Sequence, residues 1–225
     1  MRFFSHYIWE SGSEEKGNPV SILLQQVSVK GHHCLLACIC DGRKSTCTGS
    51  LVSGYFTERL VEWFHQDCLA LIQKRRSEDT IRKSLEAEFE KINAQLQEYG
   101  RRKDLMIGYD VRGILLWDNL CWIFGQGDYR GYLFNRRFNK KQRRNLPGNG
   151  GTEMEILPGK VQKNIGILLC DQTFAQSITE EEMIQVLSEE TVTDQKIQKS
   201  LRELWKEEIA RGGSPCTGAI YIRLG

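Results

Sequence analysis

Two short stretches hold the residues that could do chemistry. The run His33 to Ser45, HCLLACICDGRKS, is apolar from Cys34 to Ile39 and closes with Cys40-Asp41-Gly42. A continuous apolar run ending in an Asp-Gly turn signal reads as a buried strand. Its end sets a carboxylate and a glycine carbonyl at the rim of a sheet. Those are the oxygen ligands that Mg²⁺ and Mn²⁺ take. Taken alone, the same Asp-Gly pair is also the signal of a plain turn. A second apolar strand, Ile165 to Cys170, ends in a second carboxylate, Asp171.

Other reactive side chains read as structural. Eight cysteines stand at 34, 38, 40, 47, 68, 121, 170 and 216. None has the spacing of a zinc site, and several lie in apolar runs, where free Cys packs as a small hydrophobe. The expectation is reduced thiols in a cytoplasmic protein. His32 and His33 read as solvated turn residues and His65 as structural. Trp117, Trp122 and Trp205 read as packing residues.

Elements must position the two carboxylates. Phe3 to Trp9 and Val20 to Val29 read as strands before the Asp41 strand. Leu51 to Ile72 reads as an amphipathic helix with Tyr55, Leu60, Phe64 and Leu71 near one face. Ser77 to Thr80 offers caps for a second helix, with Ile81, Leu85, Phe89, Ile92 and Leu96 as its stripe and Gly100 as its stop. Val111 to Trp117 and Leu120 to Phe124 form a hairpin through Asp118-Asn119, and Tyr129 to Phe134 follows as a strand. The basic segment at about 135–151 carries Arg136, Arg137, Lys140, Lys141, Arg143 and Arg144, then Pro147 and three glycines. It reads as an exposed, mobile loop. Thr179-x-x-Glu182 is a capping box for a helix, Thr193 or Asp194 caps another, and Ala219 to Leu224 is a last strand. Strands, two helices, many strands, a helix pair and a strand make an α+β order of sheets packed face to face.

The chain has 225 residues, 40% hydrophobic and 27% charged, enough for one large domain over 1–225. A net charge of +2 argues neither for nor against nucleic acid. The first residues lack the apolar core of a signal peptide, and no stretch approaches a membrane span.

These signals, in this order, resemble the metal-dependent protein phosphatase family (protein phosphatase 2C-like). Its apolar strand ending in Asp-Gly before a long helix is similar to CICDG and the helix after Leu51. Its Gly-Asp-Ser-Arg-Ala-Tyr stretch is similar to Gly127-Asp128-Tyr129-Arg130-Gly131-Tyr132, and its Leu-x-Ser-Asp-Gly motif to Leu168-Leu169-Cys170-Asp171-Gln172. Its closing Gly-Ser-x-Asp-Asn is similar to Gly213-Ser214-Pro215-Cys216-Thr217. The resemblance implies a β-sandwich of two antiparallel sheets flanked by pairs of antiparallel helices. It also implies two Mn²⁺ or Mg²⁺ ions, held by carboxylates at four motif positions, that activate a water for phosphoester hydrolysis.

On that alignment two positions keep their carboxylates: Asp41, with the Gly42 carbonyl, and Asp171. The two others fall on Val20 and Cys216, and the phosphate-binding Arg falls on Glu15. Two divalent ions need several anionic ligands to offset their mutual repulsion and lost hydration. The resemblance, so altered, implies a catalytically degenerate pseudophosphatase with no metal cofactor. It would be a binding or regulatory module for a phosphoprotein, a kinase or an active phosphatase in Ser/Thr phosphorylation signalling. The alternative is an active Mn²⁺- or Mg²⁺-dependent Ser/Thr phosphatase with a reduced metal shell. The basic segment from Arg136 to Arg144 is the candidate contact for an acidic or phosphorylated partner. The near-neutral remainder and sparse aromatic interleaving argue against nucleic acid. Without metal, Asp41 and Asp171 are expected to repel each other, so replacing either by Ala is expected to leave stability unchanged or raise it.

Overall fold

The computed structural model describes residues 2–10, 17–46, 48–127, 130–137, 140–145, 153–187, 193–213 and 216–225, with 135–137 and 140–145 given by backbone alone. Strands β1 (Phe3–Glu10), β2 (Val20–Val29) and β3 (His32–Asp41) lead into α1 (Gly49–Trp63), a π turn (Phe64–Cys68) and α2 (Leu69–Gln73). After α3 (Glu78–Lys103) come β4 (Asp110–Trp117), β5 (Leu120–Gln126), β6 (Arg130–Arg137), β7 (Lys140–Asn145), β8 (Glu155–Lys160) and β9 (Gly166–Cys170). Helices α4 (Gln172–Ser177), α5 (Glu180–Leu187) and α6 (Asp194–Ala210) precede β10 (Thr217–Leu224).

The strands form two antiparallel sheets, in the orders β1-β10-β9-β6-β7 and β2-β3-β4-β5-β8. Strand β3 shows how they stack. Successive side chains point to opposite faces. Cys34, Leu36, Cys38 and Cys40 pack with α1 to α3. Leu35, Ala37 and Ile39 pack against Ile167, Leu169 and Ile220 of the facing sheet. All seven are fully buried. A third apolar cluster joins β9 and β10 to α4, α5 and α6 through Leu168, Phe174, Met183 and Leu201. The result is a four-layer helix–sheet–sheet–helix stack, as the sequence implied. Burial pushes the Cys34 thiol up to about 12 and the Cys121 thiol up to about 11, so both stay protonated and act as packing groups.

Several elements differ from the sequence reading, each for a local reason. The first helix buries Val52, Phe56, Leu60, Trp63, Phe64, Cys68, Leu69 and Ile72; of the expected face, Leu60 and Phe64 are buried, while Tyr55 and Leu71 are half-buried against the same core. A wider π turn at Phe64–Cys68 interrupts the α-helical geometry between α1 and α2. Ser77 caps α3 by accepting the Thr80 N–H, and the predicted stripe is buried. Gly100 does not stop that helix. It lies inside it, where a Cβ would stand 2.6 Å from Ile107, and the stop is Asp104 at φ 54°. The basic segment is not a plain loop: Arg136 and Arg137 end β6, and Lys140 to Arg144 run along β7, the edge strand of its sheet. Lysine and arginine on an edge strand discourage pairing with other chains. The expected mobility of their side chains lies outside the described residues. His32 is no free turn residue either, since its Nδ1 lies 2.6 Å from Asp118 Oδ2.

Close packing at the centre generates one test. Gly113 of β4 pairs with Cys38 and with Phe124. A Cβ there would lie 2.2 Å from the Phe124 ring and 2.7 Å from the Ala37 carbonyl. Gly113→Ala is expected to cost about 1–3 kcal/mol by overpacking. It would be read as a lower urea midpoint with an unchanged slope.

Candidate functional site

Asp41 ends β3 on the inter-sheet side, continuing the alternation of Leu35, Ala37 and Ile39. The ladder sets Val20 of β2 opposite it on one side and Asp110 of β4 on the other. Asp171 follows β9 in the facing sheet. Both sheets therefore bring a carboxylate to the same end of the sandwich. Glu208 of α6 joins them electrostatically: it is fully buried, and Asp171 and Arg43 both act on its charge.

Each of these groups already has partners within the chain. The Arg43 backbone N–H donates to Asp41 Oδ1 at 2.8 Å, and its Nε and Nη2 both stand 2.6 Å from Oδ2. The same guanidinium reaches 3.8 Å from Asp171 Oδ2 and donates to the Thr173 hydroxyl at 3.4 Å. Lys44 Nζ lies 2.7 Å from Asp110 Oδ1. Gly42 donates to the Pro19 carbonyl at 2.9 Å, and its own carbonyl accepts the Ser45 N–H at 2.8 Å. No side chain fits at Gly42, because a Cβ would lie 2.0 Å from the Gly49 carbonyl oxygen.

Asp171 is wholly inaccessible to solvent. Its Oδ1 accepts the Phe174 N–H at 2.8 Å and caps α4, while its Oδ2 accepts the Gly218 N–H from β10 at 2.9 Å. The sequence reading did not contain α4, a six-residue helix without periodic signal. Burial raises Asp41 above its ordinary value, with Arg43 opposing and Asp171 adding to the rise. Burial, with Asp171 adding, pushes Glu208 up to about 7, although the Thr217 hydroxyl donates to both its oxygens at 3.1 and 3.2 Å.

Asp41, Gly42 and Asp171 are thus brought together. Val20 is buried opposite Asp41, and Cys216 lies half-buried just before β10. Glu15 lies outside the described residues. Arg136 and Arg137 end β6, and Lys140, Lys141, Arg143 and Arg144 lie along β7. Sequence reasoning missed Asp110 and Glu208. Glu208 does carry a signal, since it continues the buried stripe Ile197, Leu201, Leu204 at helical spacing. Asp110 carries none outside the register that sets it beside Asp41.

The two-metal centre implied by the resemblance does not fit these residues. The oxygens of Asp41, Gly42 and Asp171 accept hydrogen bonds from their own chain, and two side-chain cations stand among the carboxylates. Among the described residues, no three His, Cys, Asp or Glu side chains are arranged to hold a metal.

The expectation that Asp171→Ala is neutral or stabilising is therefore reversed. Losing the cap and leaving the Gly218 N–H unpaired is expected to cost about 2–4 kcal/mol, measured by denaturant titration. Asp171→Asn, which keeps an acceptor for the cap, is expected to cost less. Glu208 gives a pH test. Its folded value lies above the ordinary value of 4.5, so the folded chain holds a proton that the unfolded chain has released. Stability then falls as pH rises from about 4.5 to about 7. Glu208→Gln is expected to raise the melting temperature at pH 8, to leave it unchanged at pH 4, and to flatten the decline between.

No family model and no curated relative matches the chain. Solved structures do. The serine/threonine phosphatase Stp1 from Staphylococcus aureus superimposes with a TM-score of 0.77 at 14% identity, covering 100% of this chain and 96% of that one. The catalytic domain of the serine/threonine protein phosphatase PstP, in complex with two manganese ions, gives 0.72 at 16%, with 99% and 97% covered. PppA, a regulatory component of a secretion system (T6SS) in Pseudomonas aeruginosa, gives 0.72 at 16%, with 100% and 99% covered. With two antiparallel sheets between helical layers and a likeness along the whole length, the chain has the protein phosphatase 2C-like fold of the bacterial serine/threonine phosphatases.

Proposed function

We propose that this protein is a pseudophosphatase: a one-domain, phosphatase-fold binding or regulatory module in Ser/Thr phosphorylation signalling that performs no hydrolysis. The observation that carries the reading is the Arg43 guanidinium, seated on Asp41 and reaching Asp171. Hydrolysis by two metals needs a hydroxide formed at neutral pH, and only bound metals lower the pKa of water that far. Two divalent ions bring a charge of about +4, which several anionic ligands must offset. Here Val20 stands opposite Asp41 where the resemblance implies a carboxylate, and Asp110 is paired with Lys44.

The competing reading, an active Mn²⁺- or Mg²⁺-dependent enzyme with a rebuilt shell, draws on Asp110 and Glu208. Both add carboxylates that the motif alignment lacks. It is the weaker reading, because Lys44 already neutralises Asp110 and the Thr217 hydroxyl already serves Glu208. The reduced, buried cysteines accord with a cytoplasmic setting. No helix among the described residues is long and apolar enough to cross a membrane.

The partner we propose is a phosphorylated protein. Cations clustered on β6 and β7 suit phosphate and acidic groups by charge. Two experiments test the proposal. Hydrolysis of p-nitrophenyl phosphate and of a phosphopeptide, in Mn²⁺ or Mg²⁺, is expected to stay at background. Robust Mn²⁺-dependent turnover that Asp41→Ala abolishes would overturn the reading. Replacing Arg137, Lys140 and Arg143 together by Glu is expected to weaken capture of a phosphopeptide at least tenfold at low salt. The difference should shrink as salt rises. Unchanged affinity at low salt removes the basic strand pair from the interaction.

A further inference from the structure

We infer that Arg43 is a tethered stand-in for a divalent cation: its guanidinium bridges the two sheets by binding Asp41 on one and facing Asp171 on the other. The inference rests on the proposed non-hydrolytic reading and adds a positive role for the residue. Asp41 closes β3, Asp171 follows β9, and no other residue described at this end pairs with both. Arg43 Nη2 stands 2.6 Å from Asp41 Oδ2 and 3.8 Å from Asp171 Oδ2, and Nη1 donates to Thr173 in the first turn of α4. One planar group thus touches the end of one sheet, the carboxylate that follows the other, and the helix capped by that carboxylate.

Position in the chain explains why this cation holds its place. Arg43 is two residues from Asp41, and its backbone N–H is bonded to the same carboxylate. The head group needs no encounter from solution, so its effective concentration at Asp41 is on the order of millimolar or higher. A free divalent ion must displace it and shed water as well. The chain also needs such a cation. Asp41 and Asp171 are drawn together between the sheets, and Asp110 flanks Asp41. Lys44 answers Asp110 from the solvent side. Among the described residues, Arg43 alone pairs with both carboxylates that span the sandwich, and its side chain keeps about a third of its exposure, so a neutral replacement opens that space to ions.

An ordinary ion pair and a stand-in for a metal predict different outcomes. Melting temperatures are measured for the wild-type chain, Arg43→Gln and Arg43→Lys, each in EDTA and in millimolar MnCl₂. Arg43→Gln is expected to melt about 5 °C or more below the wild type in EDTA. Arg43→Lys, which keeps the charge without the fork, should lie between. MnCl₂ is expected to recover most of the Arg43→Gln loss and to leave the wild type unmoved, and calorimetry should find manganese binding only in the Gln variant. If Arg43→Gln does not fold in EDTA, refolding in MnCl₂ gives the same answer: recovery supports the inference and failure sinks it. A Gln variant as stable as the wild type overturns it, as does manganese that moves neither protein or both alike. The wider reading stands or falls separately, on whether the wild-type chain hydrolyses phosphoesters.

Discussion

Burying carboxylates between two apolar sheets is the constraint on which this structure turns. A carboxylate removed from water without a partner costs several kcal/mol. Asp171 is fully buried, and Asp41 is drawn toward it at the same end of the sandwich. The chain resolves the conflict locally. Backbone N–H groups from α4 and β10 serve Asp171, and the residue two places after Asp41 supplies its cation. These bonds join β3, β9, β10 and α4, so the chemistry at the rim also ties the layers together. A change at Asp171 is therefore felt in the fold before it is felt in any reaction.

The same constraint orders the surrounding backbone. Gly42 must be glycine because the start of α1 passes against it, with Gly49 as the point of contact. That approach fixes the turn in which Arg43 and Lys44 project, and Ser45 closes it by donating to the Gly42 carbonyl. Each cation then finds a carboxylate on neighbouring strands of one sheet, Asp41 on β3 and Asp110 on β4. A hydrogen-bonded turn that delivers its own charges is a stable alternative to a site that waits for ions.

Much of this was legible in the sequence, and the remainder was not for identifiable reasons. The continuous apolar run from Cys34 to Ile39 reads as a strand buried on both faces, and it is one. The stripe on α3 and the capping box at Thr179 and Glu182 are periodic and local signals, and both hold in the structure. The π turn was hidden because a single wider turn leaves no periodic signal of its own. Helix α4 was hidden because six residues give no period, and its one signal, Asp171 as a cap, is equally the signal of a metal ligand. A carboxylate at the end of a strand is ambiguous between the two roles until its neighbours are known. Asp110 entered through strand register, a non-local property no motif carries. The basic segment was misread because charge and following glycines outweighed its extended backbone, which an edge strand accommodates.

A cation carried by the chain itself can tie two sheets together, and the arrangement around Arg43 shows how. A dinuclear site joins two sheets through ions that the surrounding solution supplies, so its stability depends on their concentration. An arginine within the chain supplies charge and hydrogen bonds at every metal level. Val20, opposite Asp41, packs against the facing sheet. Well-packed apolar groups often match or exceed a buried charged pair in stability.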